Sequence, residues 1–280
     1  IGSQLLQECN TGYIYSTVSY KIPQACDAPR LSLLERPLSA DHATFYPFLD
    51  ILSAQFGAAG EWFFTRIDVF EASLPADGTP LTYYLELDLN FNGRGDFLLA
   101  VENLPYNAAE WTVAGVRAWK DTNGDVGSAS PLQADAVQGD GYETLLFDQG
   151  IGTDPDLVWA KRSTSNFNRI ELAFKGSLLE GKTSFLWWTG SRLGEFNPAA
   201  FDLVDGIDTS TLYQVDTTCG WAYGASSKGL PKQCYFAEPT AVPVVNSNPP
   251  GDVCVKPPHP NPQDGCWIWN EKDCKWECWN

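Results

Sequence analysis

An antiparallel β-sandwich of jelly-roll type with one short helix is the fold class this sequence predicts, and three observations predict it. Between Trp62 and Leu193, runs rich in β-branched and aromatic residues recur, each bounded by Gly, Pro, Asn or Asp. Helical periodicity is confined to one stretch ahead of these runs, so the chain lacks the helices that a doubly wound α/β fold sets between strands. The hydrophobic content, 44% of 280 residues, is that of a chain with a substantial core.

The elements follow in order. Residues 1–38 contain Gly12–Tyr20, β-branched and aromatic and short of helix formers, which reads as a strand or hairpin closed by a Cys9–Cys26 disulfide. Its sharper reading is a strand lent to a neighbouring subunit. Ser39–Phe56 carries the helical signal: Ser39 as N-cap, Asp41 in the first turn, and Phe45, Phe48, Leu49, Leu52 and Phe56 at helical spacing. Pro47 requires a break there or a start near Tyr46. Strands are predicted at Trp62–Phe70, Tyr83–Phe91, Asp96–Glu102, Gly115–Lys120, Tyr142–Asp148, Leu157–Lys161, Arg169–Phe174 and Ser184–Thr189. The sandwich is placed over 39–237, with Cys219 and Cys234 bracketing a Gly- and Ser-rich loop near its end. Residues 238–253 read as a stiff, Pro-rich linker. Residues 254–280 read as a small module of Cys254, Cys266, Cys274 and Cys278, held by two disulfides in one of three possible pairings.

Composition bounds the partners. With 35 acidic and 18 basic residues the formal charge is −17, which opposes nucleic acid and anionic membrane. No apolar run reaches the roughly 18 residues of a transmembrane segment. Eight cysteines at the two ends, no methionine and a start at Ile1, read as the loss of a leader peptide, place the chain outside the cell, secreted or at the cell surface.

Two loops carry dense oxygen ligands. The first is Asp88-x-Asn90-x-Asn92-Gly93-x-Gly95-Asp96, the second Asp121-x-Asn123-Gly124-Asp125. Oxygen side chains at alternate positions, closed by glycines, suit a hard cation such as calcium. The plainer reading is a pair of turns in which Asn, Asp and Gly satisfy backbone geometry. Asp140, Asp148, Asp154 and Asp156 are further acids of the same stretch. Arg94-Gly95-Asp96 spells a tripeptide that integrins recognise, but three residues match by chance too easily to carry weight. Catalytic constellations are thin: His42 and His259 lack local companions, and there is no nucleophile elbow, metalloprotease helix or phosphate loop. No catalytic residue is assigned, and paired carboxylates far apart in sequence leave a hydrolase as the remaining enzymatic alternative.

Aromatics supply the binding candidates. Trp187 and Trp188 are adjacent, so on a strand they face opposite sides and one should emerge on the outer surface. Trp267, Trp269, Trp276 and Trp279 crowd a segment too small to hide them. Exposed indoles stack on sugar rings or pack against another subunit.

Trp62-Phe63-Phe64-Thr65-Arg66-Ile67-Asp68-Val69, then Tyr84–Asn90 and the Gly93–Asp96 turn, resemble the metal-bearing hairpin of the DOMON and family-9 carbohydrate-binding group of extracellular β-sandwiches. The resemblance spans residues 40–200. It implies a jelly-roll-like sandwich with bound calcium that binds ligand without catalysis. The whole chain also looks like secreted bacterial surface proteins with an acidic β-domain and a short Cys/Trp-rich end. Two functions follow. The first is a structural subunit of a surface layer or filament that self-associates into a homopolymer, rigidified by calcium and disulfides. The second is a module that binds extracellular polysaccharide.

Overall fold

In Trp62–Val69 alternate side chains part company: Phe63, Thr65, Ile67 and Val69 pack inward, while Trp62, Phe64, Arg66 and Asp68 turn outward. This period of two, repeated along the chain, builds two antiparallel sheets. The computed structural model describes residues 4–7, 13–15, 18–20, 37, 39, 44–71, 73–126, 140–199, 214–226, 229–230, 267–270 and 275–278.

The strands are β1 (Gln4–Gln7), β2 (Tyr13–Tyr15), β3 (Val18–Tyr20), β4 (Ile51–Ala59), β5 (Trp62–Val69) and β6 (Leu81–Asp88). Next come β7 (Phe97–Glu102), β8 (Val116–Lys120), β9 (Thr144–Asp148), β10 (Ile151–Gly152), β11 (Val158–Arg162) and β12 (Arg169–Lys175). The last are β13 (Phe185–Leu193), β14 (Val215–Thr217), β15 (Trp221–Tyr223), β16 (Trp267–Asn270) and β17 (Lys275–Cys278). Five strands form one sheet in the order β1-β4-β5-β12-β11, and eight form the other, β10-β9-β8-β7-β6-β13-β14 with β15 also on β13. All pairings are antiparallel, as a β-sandwich requires. The chain divides into two compact units, Ile1–Phe236 and Ala237–Asn280. The second contains the hairpin β16–β17, in which Trp269 stands opposite Trp276; β2 and β3 form another hairpin.

The main core fills the space between the sheets. Phe56 of the five-stranded sheet meets Phe185 and Trp187 of the other at centroid distances of 5.4 and 5.1 Å. Emptying such a site by Phe56→Ala would cost about 3–5 kcal/mol. The eight-stranded sheet carries a second apolar layer on its opposite face, where Tyr84, Leu98, Ala100 and Trp119 are covered by Val126, Tyr142 and Phe196. Hence β6 is buried at all eight positions.

All eight predicted strands are present, with ends moved by a few residues. The predicted helix over Ser39–Phe56 is not. Residues 47–49 are a turn, and β4 begins at Ile51. A bulge in β4 between Ile51 and Ser53 shifts the alternation by one, so Ile51, Ala54 and Phe56 all face the core. That offset imitates helical spacing. The Ser39 hydroxyl accepts the Thr44 amide at 2.9 Å, and residues 40–43 lie outside the described residues. The short helix is instead a single 3-10 turn at Gly176–Leu179, which buries Leu178 and Leu179.

Cys219 is buried, and no free cysteine occurs among the described residues. Cys9, Cys26, Cys234, Cys254, Cys266 and Cys274 lie outside those residues, as does the whole of the predicted linker 238–253; Cys278 ends β17.

Candidate ligand-binding site

The two Asp/Asn loops leave the strands of the eight-stranded sheet that flank β7, the first from the end of β6, the second from the end of β8. Asp88 is buried and acts as the hub of the first. Its Oδ1 accepts the amides of Asn90 at 3.0 Å and Phe91 at 2.6 Å, and its Oδ2 accepts that of Gly93 at 2.7 Å. Gly93 has φ of +85°, a conformation that side chains disfavour. The Asn90 and Asn92 side-chain oxygens accept the amides of Asn92 and Arg94, and Asp96 Oδ2 accepts that of Leu89. The side chains of the first loop thus close on its own backbone amides.

The loops also converge. Asp121 donates its amide to the Asp96 carbonyl at 3.0 Å. In the second loop the Asp121 carboxylate accepts the amides of Asn123, Gly124 and Val126, and the Asn123 side chain donates to Asp140. Burial pushes the Asp88 carboxyl up to about 6, against the pull of its amides and helped by the charge of Asp96. Burial also raises Asp96, with the charges of Asp121 and Glu180 adding to it. Burial and Asp140 raise Asp125, whose Oδ1 is buried without a hydrogen-bond partner. That orphaned oxygen fits a cation better than it fits a turn. Among the described residues, no three carboxylate, histidine or cysteine side chains group as a metal site, so amide and carbonyl oxygens would complete any ligand set. Of the other acids, Asp148 pairs with Arg117 at 3.0 Å and Asp154 with Lys175 at 2.8 Å, which commits them elsewhere.

The predicted exposed tryptophan is absent from β13. Trp187 faces the main core and Trp188 the opposite side, as strand alternation demands, but both indoles are buried. The second apolar layer explains why. Trp188 donates its ring N–H to Glu86 Oε1 at 2.8 Å, and the Tyr142 hydroxyl donates to Glu86 Oε2 at 2.7 Å, beneath that cover. Trp267, Trp269 and Trp276 belong to the β16–β17 hairpin, and Trp279 lies outside the described residues.

The outward aromatics lie on the other sheet. Register sets Trp159 of β11 opposite Ala173 of β12, Ala173 opposite Phe64 of β5, and Phe64 opposite Gly57 of β4. This row of large, small, large and small side chains makes ridges and floors. Trp111, from the segment between β7 and β8, stands against Phe64 with ring centroids 6.2 Å apart. Trp62, Phe64, Trp111 and Trp159 with Ala173 and Asp156 line a hollow of about 390 Å³. A second hollow of about 490 Å³ shares Phe64 and Trp111 and runs over Gly57, Gln55 and Arg66. The three indoles are half-buried. Lys161 Nζ lies 4.7 Å from the Trp111 centroid and 3.4 Å from Glu171, and Arg66 lies 3.6 Å from the same Glu171.

Sequence reasoning missed this cleft because Trp62, Trp111 and Trp159 come from separate elements. One signal was readable: three aromatics in succession at Trp62-Phe63-Phe64 force an aromatic onto both faces of β5. No protein-family model matches the chain, and neither a curated protein nor a solved structure is significantly similar to it.

Proposed function

We propose that this chain is a non-catalytic extracellular β-sandwich that binds polysaccharide on the outer face of its five-stranded sheet. One observation carries the reading: three indoles and a phenyl ring, drawn from β5, β11 and the segment between β7 and β8, line a shallow groove floored by Ala173 and Gly57. A sugar ring has apolar C–H faces that stack on indole and a rim of hydroxyls that hydrogen-bond side chains such as Gln55 and Asp156. Calcium is the cation the Asp88 and Asp121 loops would take, with the orphaned Asp125 Oδ1 in support. It would stiffen the loop end without taking part in sugar binding. Affinity electrophoresis through gels containing soluble glucans, xylans or mannans tests the site, with Trp159→Ala and Trp111→Ala as controls. Unretarded wild-type protein in every gel would retire the reading. A calcium titration by calorimetry, with Asp88→Ala and Asp121→Ala alongside, tests the cation.

The assembly reading, a subunit of a filament or surface layer, draws on β1. This short strand from the N-terminal segment adds to the edge of the five-stranded sheet beside β4, with Gln4 opposite Phe56 and Gln7 opposite Ser53. A strand that joins an edge from a distant part of the sequence can be exchanged between copies. Electron microscopy of the purified protein with and without chelator tests it, filaments or sheets being the supporting result.

A further inference from the structure

The geometry points to an uncharged, extended glycan as the ligand of the aromatic cleft, one chain lying across the strands through both hollows; this rests on the polysaccharide reading above. Ala173 and Gly57, the two floors, lie on strands separated by β5. Two strand spacings amount to about 10 Å, a span covered by about two linked pyranose rings. The shared ridge of Phe64 and Trp111 stands between the floors. A flat, elongated chain can cross that ridge and stack in both hollows, whereas a compact branched glycan would fill only one.

Charge decides the class. The charged residues lining the hollows are two cations, Arg66 and Lys161, and two carboxylates, Glu171 and Asp156. Both cations are paired with Glu171, and Lys161 is also held against the Trp111 ring. On the Trp62 side, Lys175 is paired with Asp154 at 2.8 Å while standing 5.7 Å from the Trp62 centroid. The lining thus sets two cations against two carboxylates, with no surplus of positive charge to meet a sulfate or uronate. The whole chain, at −17, repels polyanions further. For an aminated sugar, Arg66 and Lys161 already stand beside Glu171. What the cleft offers is stacking surface and hydrogen bonds, which suit neutral sugar units.

Calorimetry on the full chain tests this with neutral linear gluco-, xylo- and manno-oligosaccharides of increasing length, a carboxymethylated and an aminated form of the same backbones, and a peptide covering residues 238–264. The expected result is binding of at least one neutral series, tightening until about four units and then levelling, with little change between low and high salt. Trp159→Ala should weaken that binding about tenfold, and Trp159→Phe should restore part of it. Tighter binding of a charged form, or binding that salt abolishes, would overturn the neutral-ligand inference while leaving the polysaccharide reading intact. Binding confined to the Pro-rich peptide, or to none of the ligands, would overturn both.

Discussion

The indole of Trp188 and the carboxylate of Glu86 meet at 2.8 Å on the outer side of the eight-stranded sheet, yet neither reaches solvent. The phenol of Tyr142 holds the second carboxylate oxygen at 2.7 Å. An indole N–H can only donate, while a phenol can donate or accept. Glu86→Gln therefore still serves both partners, its oxygen facing Trp188 and its amide facing Tyr142, and should cost less than Glu86→Met. The Met variant leaves the indole unserved in an apolar layer and should lose about 1–3 kcal/mol. Urea unfolding of the two variants checks the ranking; equal losses would show that packing, not the donor count, governs the position.

Gly95 sits in the same network. A Cβ there would lie 1.7 Å from the Tyr142 hydroxyl oxygen and 3.0 Å from Glu86 Oε2. Gly95→Ala should destabilise by about 1–3 kcal/mol through forced displacement of the phenol. Adding Tyr142→Phe removes the clashing oxygen and should recover part of the loss, which a double-mutant cycle on denaturant midpoints would measure. Strict additivity would exclude the proposed contact. The glycine of the integrin-like tripeptide is thus explained by packing.

Arg162 is wholly buried, and its guanidinium donates to the carbonyls of Leu104 at 3.3 Å and Phe167 at 3.4 Å. Its Nε has no partner, and the Tyr106 ring lies 6.0 Å from its guanidinium carbon. Among the described residues no carboxylate pairs with it, and desolvation lowers its pKa. Replacing such a group by an apolar side chain of similar length is close to neutral, whereas truncation opens a cavity. Arg162→Met should stay within about 1 kcal/mol of wild type and Arg162→Ala should lose about 3–5 kcal/mol. Thermal or urea unfolding distinguishes them, and a Met variant as damaged as the Ala one would contradict the argument.

Tyr83 gives the fold an alkaline limit. Its hydroxyl is buried and donates to the Phe48 carbonyl at 2.7 Å, and burial pushes its pKa up to about 12, with Arg162 opposing the rise. An unfolded tyrosine titrates near 10. Below pH about 10 both states keep the proton and the contribution is constant. Between about 10 and 12 only the native state keeps it, so stability falls with rising pH by up to about 1.4 kcal/mol per unit. Tyr83→Phe should make the decline shallower by that one proton, read from urea midpoints over the same range. An unchanged slope would mean that Tyr83 ionises as it does in the unfolded chain.

The strands were legible because nearly every one is an unbroken run of alternating or wholly apolar residues between turn formers. What misled was parity. In β4 one bulged residue turned a strand's spacing into an imitation of a helix. At Trp187-Trp188 alternation was read correctly, but a second cover, supplied by Val126, Tyr142 and Phe196, could not be foreseen from the strand itself. The short partners β14 and β15 carry too few residues to show a period. The loops were readable as oxygen-rich turns because the hydrogen bonds that close the first of them are local, spanning two to seven residues. The aromatic cleft was not, since it exists only through the register that aligns Trp159, Ala173, Phe64 and Gly57.

Strand β6 has β7 on one side, β13 on the other and an apolar layer over each face. Exposing its amides to deuterium requires both neighbours to separate and both covers to lift, an event close to global unfolding. The Asp88 loop leaves directly from the end of that strand. Anything that grips the loop is therefore anchored to the slowest-opening segment of the molecule, and a pulling force applied there would be resisted by the entire sandwich rather than by one hairpin.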